Sequence, residues 1–182
     1  MTTRPPADPP TGPPDVDVRA ATPDDVPAVR AFGERHVVAH YAPLIGAEAA
    51  HAQVRDWWTD AHLRGAADAG TLVVAESAGH VVGVAQRGRY GDEHVVYKLY
   101  VDPALRGRGL GPRLVAALTA ALPPGVEQLW IEHFAANERA ATFYQREGFT
   151  IRRVEPAPDG DARRAVVWRV KRLVTGADDA PR

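Results

Sequence analysis

VDPALRGRGLG, residues 101–111, links a buried strand pattern at 94–101 to a helix pattern at about 109–122. Alternate glycines in this turn let the backbone come close to a ligand and adopt positive φ angles. The helix that follows offers unpaired N–H groups and the positive end of its dipole. Arg106 and Arg108 add charged donors that suit phosphate. The combination predicts a site for a pyrophosphate group.

Two other phosphate-binding motifs do not match this turn. A Walker loop needs Gly-Lys followed by Ser or Thr, whereas Gly111 is followed by Pro112. The dinucleotide pattern G-x-G-x-x-G has a different glycine spacing. A glycine-rich strand–helix turn that binds nothing is the alternative that these residues leave open.

A second informative segment, residues 137–149 (NERAATFYQREGF), follows about 25 residues downstream. Asn137 is a natural helix N-cap. Ala140, Phe143 and Tyr144 form an apolar stripe that carries one phenol. A lone tyrosine on such a stripe is more often a core residue, so Tyr144 gains meaning only from its context.

Outward from these segments, strand and helix patterns alternate along the chain. The predicted strands are 16–20, 71–77, 80–87, 94–101, 127–133, 149–154 and 164–171, and the predicted helices are 24–41, 46–66, 109–122 and 137–147. Pro43 is expected to end the first helix. Three consecutive strands followed by β-α-β-α-β-β predict a mixed sheet of the α/β (α+β) class with helices on its faces.

The 182 residues are expected to form one folded domain between two tails. Six of the 16 prolines lie in the first 14 residues, so 1–15 is predicted to be a disordered Pro-rich tail. The polar segment 174–182 is predicted to be a flexible C-terminal tail, which leaves 16–173 as the domain.

Composition excludes several function classes. Because the chain has no cysteine, it has no disulfide framework, no thiolate metal site and no cysteine nucleophile. Its formal net charge of −1 argues against bulk attraction to nucleic acid or to an anionic membrane. No secretory signal and no apolar run of about 20 residues is present, so we expect a soluble, cytoplasmic protein.

Taken together, the pattern V-x-P-x-x-R-x-x-G-x-G at 101–111 and the helix N-x-x-A-x-x-F-Y-x-x-x-G-F at 137–149 resemble the GNAT family, the GCN5-related N-acetyltransferases. The resemblance covers about 16–171. It implies the acyl-CoA N-acyltransferase fold, with a mixed, mostly antiparallel sheet of six to seven strands and helices on both faces.

The resemblance also implies acetyl-CoA as the ligand. The turn would hold its pyrophosphate through backbone amides, while the strand end 99–101 would part from its parallel neighbour, 128–132, and bind the pantetheine arm. The implied cofactor-binding residues are Leu99, Tyr100, Val101, Arg106, Gly107, Arg108, Gly109, Leu110, Gly111, Asn137, Ala140, Phe143 and Tyr144.

The implied reaction is direct attack of a neutral amine on the thioester, with Tyr144 protonating the leaving thiolate. Relatives often carry a carboxylate base on the strand before the glycine-rich turn, but 95–97 here reads Val-Val-Tyr. The remaining candidates for the base are Glu93, His94, Glu132 and His133, of which Glu132 is preferred. A charge at the strand rim is the alternative interpretation of Glu132.

The leading hypothesis is therefore an N-acetyltransferase whose acceptor is the primary amine of a small molecule, a protein N-terminus or a lysine. The alternative is a CoA-binding sensor without turnover, which the missing strand carboxylate motivates. Oligomeric state stays open, with a homodimer as one option. His36 and His40 have the i,i+4 spacing of a metal pair, but no nearby carboxylate completes a ligand set, so no metal is expected.

Overall fold

The computed structural model describes residues 15–173, which form one seven-stranded sheet with five helices. The strands are β1 (Asp17–Ala20), β2 (Leu72–Ser77), β3 (His80–Tyr90), β4 (Glu93–Val101), β5 (Gln128–Phe134), β6 (Thr150–Glu155) and β7 (Val166–Arg172). The helices are α1 (Val26–Ile45), α2 (Ala47–Trp57), α3 (Asp60–Asp68), α4 (Leu110–Ala120) and α5 (Glu138–Arg146). The two predicted tails lie outside the described residues, apart from Asp15.

The strand order across the sheet is β1-β2-β3-β4-β5-β7-β6. The β4–β5 pair is parallel, and every other neighbouring pair in this sheet is antiparallel. The crossover between β4 and β5 contains the glycine-rich turn and α4, as a parallel connection requires. The predicted mixed, mostly antiparallel sheet is therefore confirmed.

Helices cover both faces of the sheet. On one face α4 and α5 bury Leu114, Leu118 and Tyr144 against β4 and β5. On the other face α1 and α3 bury Phe32 and Leu63 against β2 and β3. Each fully buried leucine or phenylalanine contributes roughly 1.5–3 kcal/mol relative to an exposed one. The prediction of helices on both faces is confirmed.

The first helix does not end before Pro43, as predicted, but continues to Ile45. Pro43 lies in the last turn, where the missing N–H removes only one helical hydrogen bond. The Gly46 N–H still donates to the Ala42 carbonyl at 3.0 Å. Gly46 then ends the helix with a φ of +89°.

The predicted single helix 46–66 is wrong, because the chain divides into α2 and α3 around Trp58 and Thr59. The Thr59 hydroxyl accepts a hydrogen bond from the His62 N–H at 3.3 Å, and Asp60 supplies a carboxylate to the first turn. The break lets the Trp58 ring turn inward, where it is 2% exposed. The Thr-Asp pair was a start signal that the sequence prediction missed.

Candidate functional site

Strands β4 and β5 diverge about halfway along their length and stop pairing there. Their pairing begins at His94–Leu129 and ends at Val96–Ile131, although β4 continues to Val101. On the β5 side of β4, the backbone N–H and C=O groups beyond Val96 therefore lack strand partners and can bind a ligand. We call β4 residues 97–101 and β5 residues 132–134 the strand opening. The predicted divergence of the two strands is present.

A β-bulge stands at the start of this opening. Val96 pairs with Arg87 and Lys98 pairs with Gln86, so Tyr97 is an extra residue on β4. The bulge breaks the regular alternation of β4 side chains between the two faces of the sheet, and Leu99 packs in the same core cluster as Val96. Bulges next to binding sites re-aim backbone and side-chain groups.

The glycine-rich turn presents open backbone to this region. Gly107 and Gly109 both have a φ of +77°, which side-chain-bearing residues rarely adopt. A Cβ atom at either position would meet no heavy atom within 4 Å, so the space in front of them is free for a ligand. Gly111 has a different role, because its Cβ would lie 2.8 Å from the Phe143 ring. Because Gly111 has no Cβ atom, α4 and α5 can pack closely at this point.

Arginines surround the turn unevenly. The Arg106 Nε donates to the Val101 carbonyl at 3.1 Å, which ties this side chain to the end of β4. Burial and the neighbouring Arg139 guanidinium lower the pKa of Arg106. Arg108 is exposed, and Leu110 is buried in the core, so only the backbone of Leu110 can face a ligand. Arg139 was not predicted, because it occupies an unspecified position of the second motif, between Asn137 and Ala140.

Asn137 begins α5 as predicted. Its Oδ1 accepts the Ala140 N–H at 3.1 Å, and its Nδ2 lies 3.2 Å from the Nε2 of His40. One amide N–H of Asn137 therefore remains for a ligand. Ala140 and Phe143, half-buried on the same helix, pack against the core beside Leu99 and Val101.

Tyr144 is held within a cage of rings. Its ring stacks on His133 at a centroid distance of 6.0 Å, with Phe143 at 5.2 Å and Phe149 at 5.6 Å edge-on. Burial raises the pKa of Tyr144 above its ordinary value, and the nearby Tyr41 raises it further. The phenol is therefore protonated at neutral pH and can donate a proton.

A buried network fixes His133. Its Nδ1 lies 2.9 Å from the Phe134 carbonyl and its Nε2 accepts from the Arg169 Nε at 3.1 Å. Arg169 also donates to the Phe149 carbonyl at 3.3 Å. Both ring nitrogens of His133 are engaged, so this residue is not free to accept a proton from a substrate.

The other base candidates separate by position. Glu93 and His94 lie where the paired segment of β4 begins, away from the strand opening. Glu132 directly follows Ile131, the last residue of β5 that pairs with β4, and its side chain is exposed at the strand opening. Surrounding protein still desolvates its carboxylate enough to raise its pKa, and Glu155 adds to the rise while Arg153 opposes it.

Two tyrosines at the opening were absent from the predicted catalytic set. Tyr100 donates its hydroxyl proton to the Tyr41 hydroxyl at 3.2 Å, and the Tyr41 ring packs edge-on against Phe134 at 5.8 Å. Burial raises the pKa of Tyr41, and the Glu132 charge adds to this rise. Tyr100 was predicted only as a cofactor contact, and nothing in the sequence around Tyr41 marks it.

A large surface cavity lies elsewhere, near the β6 edge of the sheet. It has a volume of about 930 Å³ and contains Trp130, Ile151 and Arg153 among its lining residues. Of the predicted site residues only Glu93, one of the four candidates for the base, lines it, and none of the implied cofactor-binding residues does. Shape alone would therefore have pointed away from the strand opening.

Neither a metal cluster nor a membrane-crossing helix occurs in residues 15–173. In that range no group of three or more His, Asp or Glu side chains could hold a metal ion. No helix there is long and apolar enough to cross a membrane. His36 and His40 instead contact different partners, Asp102 and Asn137.

Comparison with known proteins agrees with this architecture. Residues 68–151 match the model of the acetyltransferase (GNAT) domain. The mycothiol acetyltransferase of Propionibacterium freudenreichii is 34% identical over 133 residues, which cover 70% of this chain and 41% of that protein. The chain thus spans about two fifths of this relative's length.

Solved structures share the fold at low identity. The PaiA N-acetyltransferase of Thermoplasma acidophilum, crystallised with coenzyme A, superposes with a TM-score of 0.73 at 14% identity and covers 87% of this chain and 99% of its own. The ribosomal-protein-S18-alanine N-acetyltransferase of Escherichia coli gives 0.65 at 19% identity, with coverages of 92% and 100%. By the family-model match, residues 68–151 belong to the GNAT acetyltransferase domain family, and the sheet that extends beyond this match has the fold of these solved structures.

Proposed function

We propose that this protein is an acetyl-CoA-dependent N-acetyltransferase that transfers the acetyl group directly to a primary amine. The observation that carries the proposal is the strand opening, because open glycine backbone, a buried protonated phenol and a carboxylate converge there. Mycothiol and protein acetyltransferases among the similar proteins support the same reaction class.

The residues present suit the cofactor. The free backbone in front of Gly107 and Gly109, at the start of α4, can bind a pyrophosphate through N–H groups. Unpaired backbone groups of Leu99–Val101 can bind the two amides of a pantetheine arm, and Asn137 retains one amide N–H for the same arm. Ala140 and Phe143 supply apolar contact. Acetyl-CoA would supply an acetyl group activated as a thioester.

In the proposed mechanism Glu132 accepts a proton from the amine as the nitrogen attacks the acetyl carbon. Its raised pKa makes this carboxylate a stronger base than an ordinary glutamate. A backbone N–H of β4 near the Tyr97 bulge donates to the carbonyl oxygen, which becomes negative during attack. Tyr144 donates its proton to the leaving sulfur, and the amine proton held by Glu132 replaces it through solvent. The products are an amide and a free thiol.

The acceptor belongs to the proposal only as a class. A primary amine of a small molecule, a protein N-terminus or a lysine would fit beside Glu132, with Tyr41 and Tyr97 as neighbours. A cytoplasmic location, where acetyl-CoA is available, is a further part of this proposal, and the oligomeric state stays open, with a homodimer as one option.

The test is thiol release from acetyl-CoA by the full chain with a panel of amines. We expect amine-dependent thiol release, together with formation of the N-acetylated amine in equal amount. Gly109→Glu should abolish CoA binding, because it places a carboxylate and a strained side chain where phosphate would lie. Tight CoA binding without release for any amine would instead support the CoA-binding sensor, and unchanged CoA affinity of Gly109→Glu would contradict the pyrophosphate assignment.

A further inference from the structure

Helix α1 places two histidines on opposite sides of the strand opening. His36 Nε2 lies 3.8 Å from Asp102 Oδ2, directly after β4. His40 Nε2 lies 3.2 Å from Asn137 Nδ2, where α5 begins after β5. Because His36 and His40 are four residues apart, they lie on one face of α1, and this face contacts both the β4 side and the β5 side of the strand opening. The mechanism proposed above uses neither side chain.

Positive charge collects around this pair. Arg106 and Arg139 are close enough for the charge of Arg139 to lower the pKa of Arg106. The Arg106 charge lowers the pKa of both His36 and His40, and Arg139 acts on His40 as well. Arg139 makes no side-chain hydrogen bond or ion pair within residues 15–173.

A single carboxylate faces these cations. Asp102 raises the pKa of His36, but its Oδ1 also accepts the Ala104 N–H at 2.9 Å. Arg35 is the remaining charged neighbour of His36 and lowers its pKa. The other rings against the pair are Phe32, Tyr41 and Tyr100, all neutral near pH 7. The cluster is thus richer in positive than in negative groups and suits an anion.

Both histidines are neutral in the free protein and ready to accept a proton. Burial lowers the pKa of each, as the largest influence. Because Asn137 Oδ1 is engaged by Ala140, its Nδ2 faces His40, whose Nε2 must then be the unprotonated acceptor. The Nε2 of His36 is buried without a hydrogen-bond partner among the described residues. A buried polar atom of this kind calls for an explanation in function.

We propose that His36 and His40, with Arg106 and Arg139, form an anion site that receives a phosphate of the bound cofactor and takes up protons as it binds. The inference rests on the proposed function, because the cofactor supplies the phosphate. The adjoining turn can hold the pyrophosphate from its other side through backbone N–H groups. Helix α1, which carries none of the residues of the two sequence motifs, thereby becomes part of the cofactor-binding site.

The sign of the pH effect follows from linkage. In the free protein the two histidine pKa values lie below their ordinary range, so both rings are neutral near pH 7. A phosphate in the site favours the protonated rings and raises these pKa values. Between the free and bound pKa values, binding takes up protons, and affinity increases as pH falls. One pKa unit on one histidine corresponds to about tenfold in affinity.

The probe is 3′-dephospho-CoA, because it lacks the monoester phosphate whose own second pKa of about 6 would confuse the measurement. Calorimetric titration of the full chain at pH 8 and pH 6 should show affinity rising about tenfold toward pH 6. Titration in two buffers of different ionisation enthalpy should show net proton uptake. The proton count needs no variant, so it holds even where a substitution destabilises the fold.

Variants then assign the protons. In the double variant His36→Gln/His40→Gln the pH dependence should disappear, whereas His51→Gln, an exposed histidine on α2, should retain it. Thermal unfolding checks that each variant is folded. A flat affinity in the unaltered chain, or an unchanged slope in the double variant, would overturn this inference alone. If neither acetyl-CoA nor 3′-dephospho-CoA binds at either pH, the proposed function fails, and this inference with it. Binding of acetyl-CoA without any binding of 3′-dephospho-CoA would overturn this inference alone.

Discussion

The two sides of the strand opening are built from different materials. The loop side, formed by the turn 106–111 with α4 and α5, consists largely of backbone and small residues such as Gly107 and Gly109. The helix side, formed by α1 with the ends of β4 and β5, consists of large side chains such as Tyr41 and Glu132. The loop side comes from contiguous motifs, whereas the helix side assembles from distant segments. In the proposed function, the loop side holds the cofactor acetyl-CoA, and the helix side selects the amine acceptor.

The largest effect is expected where the two sides meet, at Tyr144. Tyr144→Phe removes only the hydroxyl, so kcat should fall by about 10²–10⁴ while CoA affinity is retained. Single-turnover kinetics and calorimetry measure the two quantities. Tyr90→Phe, on a ring that is 55% exposed, should leave kcat unchanged. A normal kcat for Tyr144→Phe would mean that the loop side supplies binding and no chemistry.

Glu132 tests whether the helix side supplies the base. Because a base acts in its carboxylate form, the rate should fall as pH drops through the raised pKa of Glu132. Glu132→Gln should lower kcat about 10²-fold and abolish that acid limb. Glu155→Gln removes a charge that raises the same pKa, so the limb should move to lower pH. An identical profile in Glu132→Gln would assign proton removal to solvent.

Burial of the Lys98 ammonium group on the helix side lowers the stability of the folded chain, and the size of this effect can be measured. Its Nζ donates to Gln86 Oε1 at 2.6 Å, and burial lowers its pKa to about 8. Because the folded pKa lies below the unfolded one, the unfolded chain binds more protons between pH 8 and pH 10. The free energy of unfolding should therefore rise over that range, by roughly 2 kcal/mol. Denaturant titrations should show no such rise in Lys98→Met, and an equal rise would contradict the assignment.

The smallest effect concerns close packing on the loop side. Gly111→Ala places a Cβ 2.8 Å from the Phe143 ring and should lower the free energy of unfolding by about 1–2 kcal/mol. Gly65→Ala is the matched control, because its Cβ meets nothing within 4 Å in the exposed middle of α3. That control should gain about 0.5–1 kcal/mol from helix propensity. Equal effects in urea titrations would show that α4 and α5 have room to adjust.

The loop side could be predicted almost entirely, since its information is local. The glycine-rich turn and the Asn137 cap follow from contiguous residues, and the separation of β4 from β5 was implied by the family resemblance that these two motifs carry. The helix side could not, because its contacts join residues far apart in the chain. His133 and Arg169 meet across 36 positions, and Tyr41 meets Tyr100 across 59. Nothing near either member announces the other.

By itself, the sequence determined the element order apart from the division between α2 and α3, together with the mixed sheet, the open turn and the presence of a phenol on α5, because backbone propensity and motif spacing act over short distances. Only the tertiary structure decided that Tyr97 forms a bulge, that His133 is engaged at both nitrogens, and that α1 spans the strand opening with His36 and His40. These outcomes depend on which side chains are packed together and desolvated. That depends on the whole fold, and no single segment specifies it.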